Sequence, residues 1–408
     1  MMGNVELLSP AGDFETVKTA CRFGADAVYL GGPALQMRAQ QAAFTMEGIR
    51  EAAEYLHSRG KKLYVTVNSF AKNGEIPTLA AYARALREAG ADAVIVSDLG
   101  VMAEVRSAAP ELAVHVSTQA NCQNYRAAQA YYALGASRVV LARELSLAEI
   151  AEIREKTPPE LELEAFVHGA MCMAYSGRCF LSAYLTGRSG NRGECAQSCR
   201  WRYHLMEETR PGVFLPVEED AGGTAILSSH DLNCLSFLDQ IREAGVVSLK
   251  IEGRMKTPYY VATVTNAYRR AIDHTAPLPV LEAELQAASH RPYSSGFYFG
   301  ELKKPVPNDG VYRQSCRFAA VVKSYSDGRV TVEQRNRFAE GDCMEVLSPD
   351  SMGLSFPAAN LTDRWGNPVA SAPHAQETII MDCPFPLSEG DFLRVRISKR
   401  PGKDDTER

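Results

Sequence analysis

A glycine leading into a short β-branched run recurs four times in the first 251 residues, and it restricts the fold more than any other feature of the chain. The copies are Gly24 to Leu30, Gly90 to Val96, Gly135 to Leu141 and Gly245 to Ile251. Glycine suits the left-handed end of a helix, and an apolar run with little alternation suits a parallel strand covered on both faces. Four further runs, Val5 to Leu8, Leu63 to Asn68, Ala113 to Ser117 and Leu161 to His168, bring the strands to eight, with helical patterns such as Thr78 to Ala89 between them. Eight βα units predict an α/β fold, a TIM-type (β/α)8 barrel over residues 1–275. An open doubly wound sheet is the alternative, disfavoured because no Gly-rich dinucleotide turn follows the first strand.

The connection from the seventh to the eighth strand is far longer than a loop and a helix require, so residues 169–234 read as an insertion. Loops after the C-terminal strand ends build the active face of such barrels, which puts this insertion over the site. Residues 276–314, rich in proline, read as a linker packing on the barrel. From 315 to 400 short strands with turn chemistry, such as Ser326-Asp-Gly-Arg329, predict a small antiparallel β-barrel. The formal charge of -5 argues against nucleic-acid binding through the whole surface, and after position 311 basic and acidic residues nearly balance, 13 against 14. The N-terminus lacks a basic and apolar leader, and no run approaches the roughly 18 apolar residues that span a bilayer. The chain is expected to be a cytoplasmic enzyme with no membrane partner.

Cytosolic chains rarely keep disulfides, so ten cysteines point to reduced thiols or metal thiolates. Cys172, Cys179, Cys195 and Cys199 fall within 28 residues, and Cys234 lies on the same insertion. Four thiolates complete an iron–sulfur cubane, whereas zinc sites usually use short Cys-x-x-Cys knuckles, which are missing here, as is the Cys-x3-Cys-x2-Cys spacing of radical enzymes. Zinc, and buried thiols acting as small hydrophobes, remain the competing readings. One of the five cysteines is spare to a four-thiol site.

The same insertion concentrates Arg178, Arg188, Arg192, Arg200 and Arg202, interleaved with Trp201 and Tyr203. Arginine forks match phosphates and aromatic rings stack on bases, so this is the candidate RNA surface; a solvated loop is the bland reading. Strand ends contribute Asn68, Gln119, Arg143, Glu144, His168, Lys250, Glu252 and Arg254, with Arg38 after the second strand. Arg143, Lys250 and Arg254, helped by Arg38, Asn68 and Gln119, would clamp a small anionic substrate, while Glu144, His168 or Glu252 would move protons. Structural ion pairing is the competing role for each. No His-Glu-x-x-His or Gly-x-Ser-x-Gly occurs; a Cys172/His168 dyad is possible only in the sense that both residues are present.

Glu164 to Cys172, Ser176-Gly-Arg-Cys179, Asn191 to Cys195, Cys199 to Tyr203, Ser229 to Leu232 and Ser248 to Arg254, with Leu8 to Gly12, together resemble the collagenase-like peptidase U family. His290 to Gly300 and Val332 to Phe338, followed by Gly341-Asp342, are similar to that family's tRNA 5-hydroxyuridine hydroxylation subgroup, whereas its ubiquinone-synthesis members resemble the barrel alone. The resemblance implies oxygen-independent hydroxylation of the wobble uridine of tRNA, with prephenate as hydroxyl source. It implies a four-cysteine iron–sulfur (4Fe-4S) cluster on Cys172, Cys179, Cys195 and Cys234, with Cys199 at a neighbouring motif position. The family's older label implies the alternative, a peptidase.

Overall fold

A computed structural model describes residues 5–37, 43–172, 176, 179, 181–190, 193–200, 230–300 and 312–397. β1 (Glu6–Pro10), β2 (Ala27–Gly31), β3 (Lys62–Val67), β4 (Ala93–Val96), β5 (Ala113–Val116), β6 (Arg138–Val140) and β7 (Glu162–Ala170) are parallel neighbours in that order. β8 (Asp231–Asn233) runs antiparallel on the far end of β7. β9 (Ser248–Ile251) bonds to both β7 and β1, which closes an eight-stranded parallel barrel. All eight barrel strands match sequence expectation; β8 is additional, too short to give a periodic signal.

Around the barrel run α1 (Phe14–Arg22), α2 (Met46–His57), α3 (Ile76–Glu88), α4 (Leu99–Ala108), α5 (Tyr125–Ala133), α6 (Leu147–Glu155), α8 (Leu238–Glu243) and α9 (Pro258–Ile272), with α7 (Leu181–Thr186) in the insertion. The four recurrent glycines have φ of +99°, +91°, +95° and +95° at positions 24, 90, 135 and 245. Each time the next amide reaches back into the helix, as from Ala25 to the carbonyl of Ala20 at 3.0 Å and from Ala91 to that of Leu86 at 3.1 Å. This left-handed cap stops the helix and drops a buried apolar residue at the start of each strand. Among the described residues no helix is long and apolar enough to cross a membrane.

The barrel's lumen is not filled by hydrocarbon alone. Leu8, Ala27, Tyr29, Tyr64, Ala93 and Ile95 form an apolar cluster, but charged groups meet beside it. Arg138 Nη1 lies 2.6 Å from Glu6 Oε1 and 3.0 Å from Glu164 Oε2, although β6 and β1 are not neighbours, so this contact crosses the lumen. Lys250 Nζ lies 2.7 Å from Glu164 Oε1. The Ser248 hydroxyl lies between the two carboxylates, 2.9 Å from Glu6 and 3.1 Å from Glu164, with one proton to share, and the Tyr64 hydroxyl donates to Glu6 at 2.7 Å. Arg138 also pairs with Glu162 at 2.7 Å on the exposed side, so inside the lumen two cations balance two carboxylates, which is the condition for holding charge in a low-dielectric interior. Burial alone would raise both carboxyls; Arg138 and Lys250 at Glu164, and Arg138 at Glu6, override it and hold them below the ordinary value.

After α9 the chain forms α10 (Leu278–Leu285) and β10 (Tyr293–Ser294), which pairs with β8. The last domain contains β11 (Cys316–Ser326), β12 (Arg329–Gln334), β13 (Phe338–Ala339), β14 (Cys343–Leu347), β15 (Ser355–Pro357), β16 (Thr362–Asp363), β17 (Ser371–Ala372), β18 (Thr378–Asp382) and β19 (Phe392–Arg396). Its main sheet is antiparallel, in the order β15-β14-β19-β11-β12-β18-β16. The end strands β15 and β16 do not bond to each other, so the expected small barrel is a half-barrel. It docks on α1, α9 and α10 through Tyr259 stacked on Phe318 at 5.1 Å, Arg22 paired with Asp391 at 2.6 Å and Arg394 paired with Glu284 at 2.7 Å.

Replacing Arg138 by Met leaves two buried carboxylates facing each other, and denaturant unfolding should show a loss of about 3–5 kcal/mol. Because Glu6 and Glu164 are held below their ordinary 4.5, the stability they contribute is complete above that pH and is lost as pH falls through their lower folded values. The thermal midpoint of the parent should therefore decline steeply on the acid side of about 4.5, and a flat acid limb would contradict the pairing.

Candidate active site at the barrel mouth

The ion network leads upward to the mouth through aromatic rings. Lys250 Nζ lies 4.4 Å from the centroid of Tyr29 and 5.4 Å from that of Phe166. Tyr29 donates to the carbonyl of Ile251 at 2.9 Å, and its hydroxyl lies 3.4 Å from Glu252 Oε2. The guanidinium of Arg143 sits 3.8 Å from the Phe166 centroid, donates to the carbonyl of Ala170 at 2.8 Å and stands 3.8 Å from Glu252. Arg254 donates to Thr66 Oγ1 at 2.9 Å and to Gln36 Oε1 at 2.8 Å. Asn68 turns its amide toward Ser117 Oγ at 3.5 Å, and its Oδ1 is buried with no hydrogen-bond partner among the described residues. These groups come from the C-terminal ends of six strands, where barrel chemistry is placed.

Two glycines make the crowding possible. A Cβ at Gly31 would lie 1.7 Å from Gln36 Oε1 and 2.5 Å from Arg254 Nη1. At Gly169, φ is +106° and a Cβ would lie 2.5 Å from the carbonyl oxygen of Glu252. Each allows a functional segment to pass directly over a strand end.

Of the sequence candidates, the structure brings Asn68, Arg143, Glu252 and Arg254 together at the mouth, and Gln119 stands half-buried just after β5. Three are corrected. Lys250 lies in the lumen beneath, 4% exposed, with its ammonium committed to Glu164. Glu144 is an anchor for the insertion, accepting from the Ser176 amide at 2.8 Å and its hydroxyl at 3.1 Å. His168 does not face the mouth at all. The register of β7 against β9 shifts between Phe166 and His168, so an extra residue breaks the alternation that Glu164 and Phe166 follow. His168 is turned outward against Tyr268 and Tyr260 of α9, at ring distances of 5.5 and 6.1 Å. Burial there pushes its pKa down to about 3, and Nε2 has no hydrogen-bond partner among the described residues. It makes no dyad with Cys172.

Described parts of the insertion lie against the loops around this mouth. Ser176 ties it to Glu144, and its Oγ lies 3.5 Å from Thr118 Oγ1. A Cβ at Gly193 would lie 2.8 Å from the carbonyl of Gln36, so the Gly193 backbone passes directly over the loop after β2. Cys172 is exposed, Cys179, Cys195 and Cys199 are half-buried, and Cys234 is buried. The Gln197 amide points at Cys195 Sγ from 3.4 Å. Cys234 opens the turn after β8, its amide donating to the Val167 carbonyl at 3.1 Å, and burial raises its thiol pKa. Among the described residues no three His, Cys, Asp or Glu groups gather closely enough to hold a metal. In kind, four thiols, one of them receiving an N–H, suit an iron–sulfur cluster. Of the arginine patch, Arg188 is exposed; Arg178, Arg192, Trp201, Arg202 and the Arg200 side chain lie outside the described residues, as does Arg38.

Tyr29, Thr66, Gln36 and Phe166 were missed by sequence reasoning. Alternation along β2, β3 and β7 marks the first, second and fourth as inward-facing, but only closure of the barrel brings Gln36 to Arg254.

Residues 12–307 match the family model described as "Peptidase family U32", and residues 314–394 match "Peptidase family U32 C-terminal domain". The chain is 38% identical to "tRNA hydroxylation protein P1" of Bacillus subtilis (strain 168), over 92% of this chain and 90% of that protein. It is 34% identical to "tRNA hydroxylation protein P" of Escherichia coli (strain K12), over 96% of each. It is also 34% identical to "Collagenase" of Porphyromonas gingivalis (strain ATCC BAA-308 / W83), over 74% of this chain and 75% of that protein.

In iron-free folded protein, a thiol reagent should modify exposed Cys172 and Cys343 promptly and leave buried Cys234 untouched until denaturant is added. Peptide mapping by mass spectrometry reads the order; early labelling of Cys234 would contradict its packing.

Proposed function

This chain belongs to peptidase family U32, and from that premise we propose that it is a tRNA-modifying enzyme, hydroxylating the wobble uridine at its 5 position with an iron–sulfur cluster and with prephenate as hydroxyl source. The observation that carries this reading is kinship over both domains: the Escherichia coli relative named as a tRNA hydroxylation protein aligns with 96% of this chain. The mouth suits the two reactants. Arg143 and Arg254 offer planar cations for the two carboxylates of a dicarboxylate donor. Asn68 Oδ1, buried without a partner among the described residues, accepts an N–H such as that of a uracil ring. Glu252, 24% exposed beside Arg143 and Tyr29, is the carboxylate placed to take or return a proton. Cys172, Cys179, Cys195 and Cys234 are the residues that would hold the cluster, which supplies one-electron chemistry when bound.

The peptidase reading draws on the collagenase relative. It requires a nucleophile with an adjacent base, and His168, its natural candidate, is buried under α9 with no thiol hydrogen-bonded to it among the described residues.

Deleting the gene from a host with no second enzyme of this kind should abolish 5-hydroxyuridine-derived nucleosides in bulk tRNA, measured by mass spectrometry; unchanged levels would refute the reading. In the purified enzyme, Arg254→Ala should raise the prephenate KM by about tenfold or more while leaving tRNA affinity unchanged. Anaerobically purified Cys172→Ala, Cys179→Ala, Cys195→Ala and Cys234→Ala should each lose iron; loss with Cys199→Ala instead of Cys234→Ala would reassign the fourth ligand.

A further inference from the structure

The C-terminal half-barrel holds out a large aromatic side chain that its own core does not use. Trp365 is 71% exposed at the tip of the turn after β16, with the Arg364 guanidinium 4.1 Å from its ring centroid. A single exposed ring is ordinary on a protein surface. This one is held on a built turn. Asp363 accepts from the amides of Trp365 and Asn367 and from the Asn367 side chain, each at 2.9 Å, and Gly366 at φ +88° completes the reversal. The Asp363 carboxylate is thereby spent within the turn. Residues 364–368 are all exposed and, apart from the indole, include no large apolar side chain, which disfavours an apolar protein partner.

Strand register fixes which way the turn points. β12 runs toward Arg335, and Arg335 pairs with Glu15 at 2.7 Å, in the first turn of α1 just beyond the C-terminal end of β1. β18 is antiparallel to β12, and β16 is antiparallel to β18, so β16 also runs toward the barrel-mouth end. The turn carrying Arg364 and Trp365 therefore lies at the same end of the molecule as the site. Exposed Arg337, two residues beyond Arg335, lies at that end too, as does Lys256, 5.0 Å from the centroid of the exposed Tyr312 ring.

We propose that Trp365, backed by Arg364, is a stacking platform for an unpaired base of the RNA substrate, holding the RNA at a second point while its reactive base enters the barrel mouth. This rests on the tRNA reading above. An indole face takes any base, and the adjacent guanidinium answers the phosphate that accompanies it.

Trp201 and Trp365 are the two tryptophans of the chain, so the full-length Trp201→Phe variant, which keeps a ring at 201, leaves Trp365 as its one fluorophore of that kind. Titration with an unmodified tRNA transcript should quench that emission to saturation. Trp365→Ala should weaken tRNA binding by about tenfold, Trp365→Phe by much less, and neither should shift the thermal midpoint, because the ring is exposed. Arg364→Ala should weaken binding and flatten its salt dependence. If tRNA binds with Trp365 emission unchanged and Trp365→Ala binds within twofold of the parent, the platform is overturned and the tRNA reading stands. If the parent binds no tRNA, both fall.

Discussion

Glu164 lies between Arg138 and Lys250 in the middle of the barrel, and that pairing organises much of what stands above it. A carboxylate with no exposed surface is tolerable only while its cations stay in place. Arg138 reaches it from β6 and also holds Glu6 on β1, so strands on opposite sides of the lumen are tied through one guanidinium. Lys250 reaches it from β9, the strand that closes the barrel. The same lysine lies beneath Tyr29, whose hydroxyl meets the backbone of Ile251 and the carboxylate of Glu252. Barrel closure and the placement of a mouth carboxylate thus share one buried charge system.

The irregular end of β7 decides what the mouth contains. A bulge after Phe166 keeps that ring in the lumen as the floor under Arg143 and turns His168 outward into the layer of tyrosines beneath α9. Gly169 then passes tightly over Glu252, and Ser176 fastens the insertion to Glu144. The insertion is therefore held against several barrel loops at once. Cys172, Cys179 and Cys195 reside on this lid, whereas Cys234 belongs to the barrel's own packing, so a cluster bound by all four would join lid to barrel.

The half-barrel is fastened to the outer helices rather than to the mouth. Its core-like contact, Tyr259 against Phe318 and Phe392, is flanked by ion pairs from Arg22 and Arg394. Arg394 is buried against Glu284 and Glu345, which leaves it no part in ligand binding. That fixed orientation gives the Trp365 turn a definite direction relative to the site.

The sequence by itself determined the elements. Glycine caps followed by β-branched runs specify helix end and strand start through local backbone sterics, so the eight strands, the insertion and the antiparallel C-terminal region were all legible. Strand ends also placed Asn68, Arg143, Glu252 and Arg254 at the mouth, because a position at the C-terminal end of a barrel strand has a predictable location. What only the tertiary structure decided depends on contacts between residues far apart in the chain. One extra residue in β7 reverses the facing of His168; charge balance across the lumen turns Lys250 from a clamp into a buried partner of Glu164; and a serine on the lid converts Glu144 from a proton carrier into an anchor. Alternation tells which side a residue faces until a bulge intervenes, and a charge's partner is set by three-dimensional closeness, which no local pattern encodes.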